Sequence, residues 1–388
     1  MVENRIIKRI LLIILIIAGI SMVVSAQDAV GMITYLEGIV DIHRDGEIIE
    51  LFDNDVGMEV YNQDLIETGD DGILEVEMIT YRNSGTKVVV SENTAFFFEI
   101  SGGSRGTKAT LPMLSGSLAF KVQKLAGNEE LNVQTGTAVM GVRGTEFEVV
   151  SAPEGSVLVV CVEGQVACED DNNRQQLAQA GRVVEKRSGE RIRKVDVDVG
   201  DERLYKEFWV GQREQVFKAG APTFIRAYSQ QYLSLQPQFA EAYQKVIANR
   251  DLLLRYGQES GGNNGVNADL MMIYSNVSKD LIPARGIFVL FEQVFYSVKV
   301  LEKYHSQGIG ISQISRRLSS VDFFNEFNAY QSGVAAQLAT MHYMFKLFTN
   351  MAEKASPAGS MMGDIFSSGN NPLGSSGAPS GTVPNSSF

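Results

Sequence analysis

From Ala29 to about Val199 apolar and polar residues alternate with period two. The segments "EIIELF", "ILEVEMITY", "TKVVVSENTAFFFEI", "SVLVVCVEG" and "GRVVEK" carry the pattern, which predicts short β-strands. Turn-forming clusters separate them: "RDGE" at 44–47, "GDDG" at 69–72, "RNSGT" at 82–86, "SGGSRG" at 101–106, "APEG" at 152–155 and "EDDNN" at 169–173. Glycine and asparagine supply the turn conformations that other residues resist. Many short strands with frequent turns indicate an all-β roll, sandwich or barrel. Residues 185–206 are highly charged and predict a last strand followed by a hinge.

Beyond the hinge the period changes to helical. Residues 204–256, 268–306 and 313–354 form three stretches, with Pro222, Pro237 and Pro283 expected to kink or break them. Ile287, Phe291, Val294, Val298 and Leu301 step by three and four. So do Phe327, Tyr330, Val334, Leu338, Met341, Phe345 and Phe348. Such stripes predict helix-on-helix packing. Phe288 and Phe295 widen the first stripe, which suits a bundle or hairpin more than a two-stranded zipper. The expected fold class is therefore α+β by domain: an all-β unit at 29–200, then an α-helical unit at 204–354. From 355 to 388 glycine, serine, proline and asparagine dominate, and a disordered tail is expected.

The N-terminus changes the picture of where the chain works. Arg5, Lys8 and Arg9 precede an apolar run, Ile10 to Val24, and small residues follow at Ser25-Ala26. That is the layout of a secretory signal peptide over residues 1–26, which implies a periplasmic location. The run is shorter than the roughly 20 residues a permanent span needs. No other segment is read as apolar enough to cross a membrane, so no span is expected after cleavage. The formal net charge is −12. The leader holds Glu3, Arg5, Lys8 and Arg9, so its loss leaves the remainder at −14. An acidic chain has no electrostatic reason to coat nucleic acid. Envelope proteins or cell-wall glycans are the expected partners, with self-association through the helical half as a further possibility.

A weak internal repeat lies in the β-half. Leu36-x-Gly38-x-Val40, Leu114-x-Gly116-x-Leu118 and Val162-x-Gly164-x-Val166 each place glycine in one slot of an apolar row. Glycine inside a strand marks a bulge, a bend or a close backbone approach. Three bent strands in stacked layers are expected. The two cysteines, Cys161 and Cys168, flank the third glycine. A bend at Gly164 would send them to opposite faces; a two-residue hairpin turn would set them face to face. The repeat favours the bend, and the pairing stays open.

Candidate chemistry is sparse. Gly102-Gly103-Ser104-Arg105-Gly106 fits the spacing of a nucleophile elbow, but strand-like sequence follows it and the nearest later histidine is His305. A hairpin loop is the better reading. Asp53-x-Asp55-x-Gly57 hints at a calcium loop, yet Met58 and Asp64 occupy the positions where glycine and glutamate are needed. His43, His305 and His342 are far apart in sequence. No catalytic, metal or cofactor residue is assigned, no cofactor is expected, and the chain is read as a non-enzyme. The densest cluster of special residues is "TGTAVMGVRGTEFEVV", 135–150.

At Arg143-Gly144-Thr145-Glu146-Phe147 this cluster resembles the core motif of the FecR-domain family of bacterial envelope proteins. "LEGIVDI" (36–42), "DLIETGDDGILEVEM" (64–78), "LSGSLAF" (114–120), "VLVVCVEGQVAC" (157–168) and "LAQAGRVV" (177–184) follow the family's order of segments. The resemblance covers about residues 29–190. It implies a periplasmic all-β domain. The best-known members sense ligand-loaded receptors and control a sigma factor through a cytoplasmic N-terminal domain. Only nine residues precede the apolar run here, so that regulatory role is placed last among the expectations. Placed first is an exported binding or scaffolding module; second is glycan or peptidoglycan binding, with Tyr35, Tyr61 and Tyr81 as stacking groups. Residues 143–147 are expected to be the family's structural corner, with Phe147 and Val149 anchoring the core.

Overall fold

The computed structural model describes residues 29–79, 85–103, 106–122, 130–142, 144–258 and 268–355. The expected leader, Tyr81, Arg143 and the expected tail from 356 onward lie outside the described residues.

The first strands are β1 (Ala29–Glu37), β2 (Val40–Arg44), β3 (Glu47–Leu51), β4 (Glu59–Tyr61), β5 (Leu65–Thr68), β6 (Ile73–Met78) and β7 (Thr86–Val90). There follow β8 (Ala95–Phe97), β9 (Glu99–Gly103), β10 (Gly106–Ser115), β11 (Ser117–Lys121), β12 (Glu130–Gln134) and β13 (Ala138–Val142). The last are β14 (Glu146–Ser151), β15 (Val157–Glu163), β16 (Gln165–Asp170), β17 (Gln175–Gln179), β18 (Arg182–Lys186) and β19 (Arg193–Asp196). They pair as two layers. One runs β4-β1-β6-β7-β11-β14-β15-β18-β19; the other runs β3-β2-β5-β8-β10-β12-β13-β16-β17. The β17–β18 hairpin links them at one end.

Both layers alternate inward and outward residues, and the inward rows share one core. Val76, Val88, Phe120, Phe147 and Val149 come from the first layer; Ile42, Ile66, Met140, Val166 and Cys168 come from the second. Phe120 and Phe147 stack with centroids 4.6 Å apart. The chain passes from layer to layer at corners near residues 38, 70, 93, 116, 144, 164 and 181. Gly38, Asn93, Gly116, Gly144, Gly164 and Gly181 take positive φ there, between 58° and 87°. The three glycines of the internal repeat, Gly38, Gly116 and Gly164, are thus three such corners.

The corners also touch each other. A Cβ on Gly38 would lie 2.2 Å from the Asp71 carbonyl oxygen, and one on Gly116 would lie 2.1 Å from Thr94 Oγ1. Only glycine permits both the left-handed backbone and the close approach. Hydrogen bonds run along the row: Gly69 N donates to Ile39 O, Asn93 N to Gly69 O, and Ser151 N to Gly116 O.

One reading of the β-half needs correction. Cys161 and Cys168 do not point to opposite faces. Against β14, Glu146 pairs with Glu163 but Phe147 pairs with Cys161, so Val162 is an extra residue. This bulge, next to the Gly164 corner, reverses the side-chain parity. Both cysteines are free and enter the same core.

The helical half holds α1 (Glu202–Ala248), α2 (Arg250–Gly257), α3 (Ala268–Ser306), a small hairpin of β20 (Gln313–Ser315) and β21 (Leu318–Ser319), and α4 (Ser320–Ala355). Of the kink or break expected at Pro222 and Pro237, the break does not occur, because α1 runs through both. Proline removes one backbone donor, but Ala221, Phe224 and Ile225 around Pro222, and Phe239 and Ala242 after Pro237, are buried and hold the line. Pro283 likewise lies inside α3. Residues 313–319 are hairpin rather than helix. Tyr330, read as part of the apolar stripe, is 65% exposed. Its neighbours Phe323, Phe324 and Phe327 pack instead, in edge and tilted contacts with Tyr232, Phe295 and His305. A further expectation, that no second segment is apolar enough to span a membrane, is also corrected. Among the described residues α3 is long and apolar enough by length and composition alone. Half of its most apolar stretch is buried inside the protein.

Candidate functional site

The helical half packs on the outer side of the second layer, and the start of α1 packs on the first. Leu65, Ala95, Phe97 and Leu114 turn away from the β-core and share one apolar cluster with Phe288, Phe291 and Phe345 of the helices. Around this cluster the charges are arranged one way. Arg285 pairs with Glu99 at 2.6 Å, Lys299 with Glu67, Lys303 with Asp70 at 2.7 Å and Lys346 with Asp45 at 2.9 Å. On α1, Arg203 pairs with Glu146 at 3.9 Å, Lys206 with Glu148 at 3.0 Å and Arg213 with Glu154 at 3.6 Å. In each of these pairs the cation is on a helix and the carboxylate on the β-half. Arg285, Glu292 and Lys299 are seven apart, so α3 carries them on one face. The most exposed of these pairs, Arg203–Glu146 and Lys303–Asp70, contribute little stability singly, about 0–1 kcal/mol. Their common polarity instead fixes how the halves sit.

Two buried polar groups complete the seam. His342 Nε2 lies 2.6 Å from Glu292 Oε1, and its ring packs edge-on against Phe97 and Phe288. His43 of β2 is buried, with Nε2 3.8 Å from Glu67 Oε2. Burial pushes its pKa down to about 4 despite the carboxylate of Glu67. A second anchor holds the start of α1. Trp209 packs among Val150, Leu158, Val160 and Val183, and its indole N–H donates to Glu185 Oε2 at 2.7 Å. Glu185 also pairs with Arg193, and with Arg187 at 3.3 Å. Glu202, at the first turn of α1, accepts from Gly181 N and Gly200 N.

Between these two anchors the halves do not close, and a cleft of about 1150 Å³ remains. One wall is the row of corners: Ser91 to Asn93, Leu114 to Ser117, Thr135 to Thr137 and Val150 to Pro153. The other is α1 from Lys206 to Glu214, with Tyr228 and Gln231, and α3 from Gln293 to Ser306, with Gln307 beyond its end. Lys206 bridges the mouth to Glu148, and Gln293 Nε2 donates to Leu114 O across it at 2.9 Å. Arg213 Nε and Thr137 Oγ1 in the wall have no protein partner. A cleft of mixed polarity at a junction of two units is where ligand sites concentrate.

The structure places the other sequence-derived candidates elsewhere. Gly144 is a corner with φ 64°, and Phe147 is buried against Phe120. Thr145 is buried and its carbonyl accepts from Val122 N. Glu146 and Glu148 face outward to Arg203 and Lys206, so the motif touches the helical half directly. Tyr35 is exposed and donates to Glu37. Tyr61 lies under the Arg44 guanidinium at 4.7 Å. Since Tyr61 pairs with Ala29, Tyr35 sits six residues further along β1, and neither tyrosine lines the cleft. Asp53–Asp55 forms one 3-10 turn in which Asp55 Oδ2 accepts from Phe52 N. Gly102 and Gly106 belong to the β9–β10 hairpin. His305 is buried against Phe324, 2.9 Å from Ser320 Oγ. The cleft residues Asn93, Ser117, Lys206, Arg213 and Gln293 were not singled out from the sequence. Nothing in their local pattern marks them, because the cleft forms from segments as far apart as Asp70 and Gln307.

Comparison with known proteins gives one family and several solved structures, among them the following two. The family model described as FecR protein matches residues 64–167. A crystal structure at 1.65 Å of a protein assigned as an anti-sigma factor from Parabacteroides distasonis ATCC 8503 is similar at 17% identity. The match covers 36% of this chain and 63% of that one, with a TM-score of 0.31. A 2.50 Å structure so described from the same organism matches at 18% identity, over 35% and 60% of the two chains, with a TM-score of 0.30. The chain thus spans less than two thirds of the structures it matches. No curated protein matches it.

Proposed function

Taking as premise that the β-half carries a FecR domain, matched over residues 64–167, we propose that the chain is an exported, non-catalytic binding protein of the cell envelope. Its binding site is the cleft between the corner row and helices α1 and α3. The observation that carries this reading is the cleft itself. It is left open between two well-packed anchors, and its walls hold unpartnered polar groups. The FecR motif supports the reading, since Glu146 and Glu148 hold α1 against the cleft. Glycan binding on exposed tyrosines has less support, because Tyr35 and Tyr61 do not converge on one another or on the cleft.

The family match favours a second reading, placed last from the sequence: occupancy of the cleft is sensed and relayed. The one-way charge seam supports it, because a ligand that spreads the halves would shift several pairs together.

Site-specific photocrosslinking in the producing cell tests the proposal. A photoreactive residue at Gln231 or Ser117 is expected to give a discrete adduct that one at exposed Tyr330 does not. No adduct from either cleft position, or the same adducts from all three, rejects the cleft as the binding site.

A further inference from the structure

Resting on the cleft as the binding site, we infer that its ligand is an extended, basic polypeptide segment. The charge inventory comes first. The cations of the walls are already engaged: Lys206 with Glu148, Arg213 with Glu154 and Lys303 with Asp70. Further carboxylates line the cleft beyond these pairs. Glu214 is met by Lys218, and Glu302 accepts from Asn328. Glu92 and Glu207 are exposed on the rim. The unspent charge is negative, so an anionic ligand would be repelled and a cationic one drawn in.

Shape and polarity narrow the class. At about 1150 Å³ the cleft exceeds the usual small-molecule pocket of roughly 300–1,000 Å³. Val150 and Val157 in its lining are buried, whereas Glu92 and Glu207 are exposed. An extended chain presents alternate side chains to opposite sides. Apolar residues can therefore enter while basic ones stay at the carboxylate rim. Hydroxyl and amide groups along the walls, such as Ser91, Ser151 and Gln231, suit main-chain N–H and C=O groups. The wall residues Thr137 and Arg213 are each only 8% exposed, and each keeps a polar atom without a protein partner.

Sugar is the other macromolecular class to weigh, and the aromatic groups argue against it. Sugar stacking needs open ring faces. Trp209 is 1% exposed with its N–H spent on Glu185, Tyr228 is 7% exposed, and Tyr304 packs on Phe217 at 4.6 Å.

Trp209 is the only tryptophan of the chain and stands in the cleft wall. Its fluorescence in the intact protein therefore reports occupancy. Three probes are titrated: acetyl-(Lys-Val)4-amide, acetyl-(Glu-Val)4-amide, and a linear tetramer of β-1,4-linked N-acetylglucosamine. The lysine peptide is expected to give a saturable change that weakens at least tenfold in Glu92→Lys/Glu207→Lys and also in high salt. Both glutamates are exposed, so that variant keeps its fold, and an unchanged far-UV spectrum verifies this. No saturable response to the lysine peptide, equal binding of the glutamate peptide, or preference for the tetramer overturns the inference. If cleft crosslinks still form in cells, such a result rejects the ligand class and leaves the binding site standing.

Discussion

Lys299→Glu is the most informative single change at the seam. Lys299 is 26% exposed and Glu67 20%, so the pair is largely shielded from water. Burial already raises the pKa of the neighbouring Asp41, helped by Glu67. At an effective dielectric near 20, a pair about 4 Å apart attracts by roughly 4 kcal/mol. Reversal turns this attraction into repulsion from Glu67 and adds to the charge near Asp41 and Glu292. The new side chain can swing toward solvent, so the surviving cost is about 2–3 kcal/mol, below the 3–5 kcal/mol of a fully buried broken pair. At roughly 2–4 °C per kcal/mol for domains of this size, Tm falls by about 5–10 °C in a thermal melt. The swap Lys299→Glu/Glu67→Lys restores most of the loss, because the attraction returns with its polarity exchanged. Lys245→Glu breaks an exposed i,i+4 pair with Glu241 and should leave Tm nearly unchanged, because water screens that pair. If Lys299→Glu melts like Lys245→Glu, or the swap fails to recover stability, the charge seam does not hold the halves together.

Other expectations follow from the cores and buried groups. Phe147→Ala removes one face of the Phe120 stack and costs about 3–5 kcal/mol by chemical denaturation; an unchanged midpoint would show that the motif does not anchor the β-core. His43 has a folded pKa of about 4 against 6.5 when free, so the unfolded chain takes up its proton first. Its stabilising effect is therefore complete above pH 6.5 and is lost as pH falls toward 4, by about 3 kcal/mol. Glu67, Lys299 and His342 act on the same site, so the comparison is with His43→Gln, whose stability should fall less over that window. Equal slopes for both proteins would contradict a neutral buried His43. Burial pushes Cys161 to about 11 and Cys168 to about 12, so neither thiol should react with iodoacetamide at pH 8 until denaturant is added; rapid labelling of the native chain would place them outside the core.

Much of the β-half was legible in the sequence because its rules are local. Period-two alternation gave the strands, and glycine in the apolar slot at Gly38, Gly116 and Gly164 marked the corners. The thiol orientations were misread because the extra residue at Val162 is defined only by its partner strand. Proline in α1 was overweighted: the local cost is real, but burial along both sides of each proline exceeds it. The seam and the cleft were not legible. Arg285, Lys299 and Lys303 read as ordinary polar interruptions of a helical stripe until Glu99, Glu67 and Asp70 stand opposite them. The cleft needs Ser117, Lys206 and Gln293 together, and no spacing in the chain announces that meeting.

Hydrogen–deuterium exchange on the intact protein, alone and after crosslinking to its cellular partner, tests the central claim most directly. The account predicts added protection at the corner segments around 91–94, 115–117 and 135–137 and along 206–214 of α1, with β1 and β4 near Tyr35 and Tyr61 unchanged. Protection centred on β1 and β4, with the corner row unaffected, would contradict it.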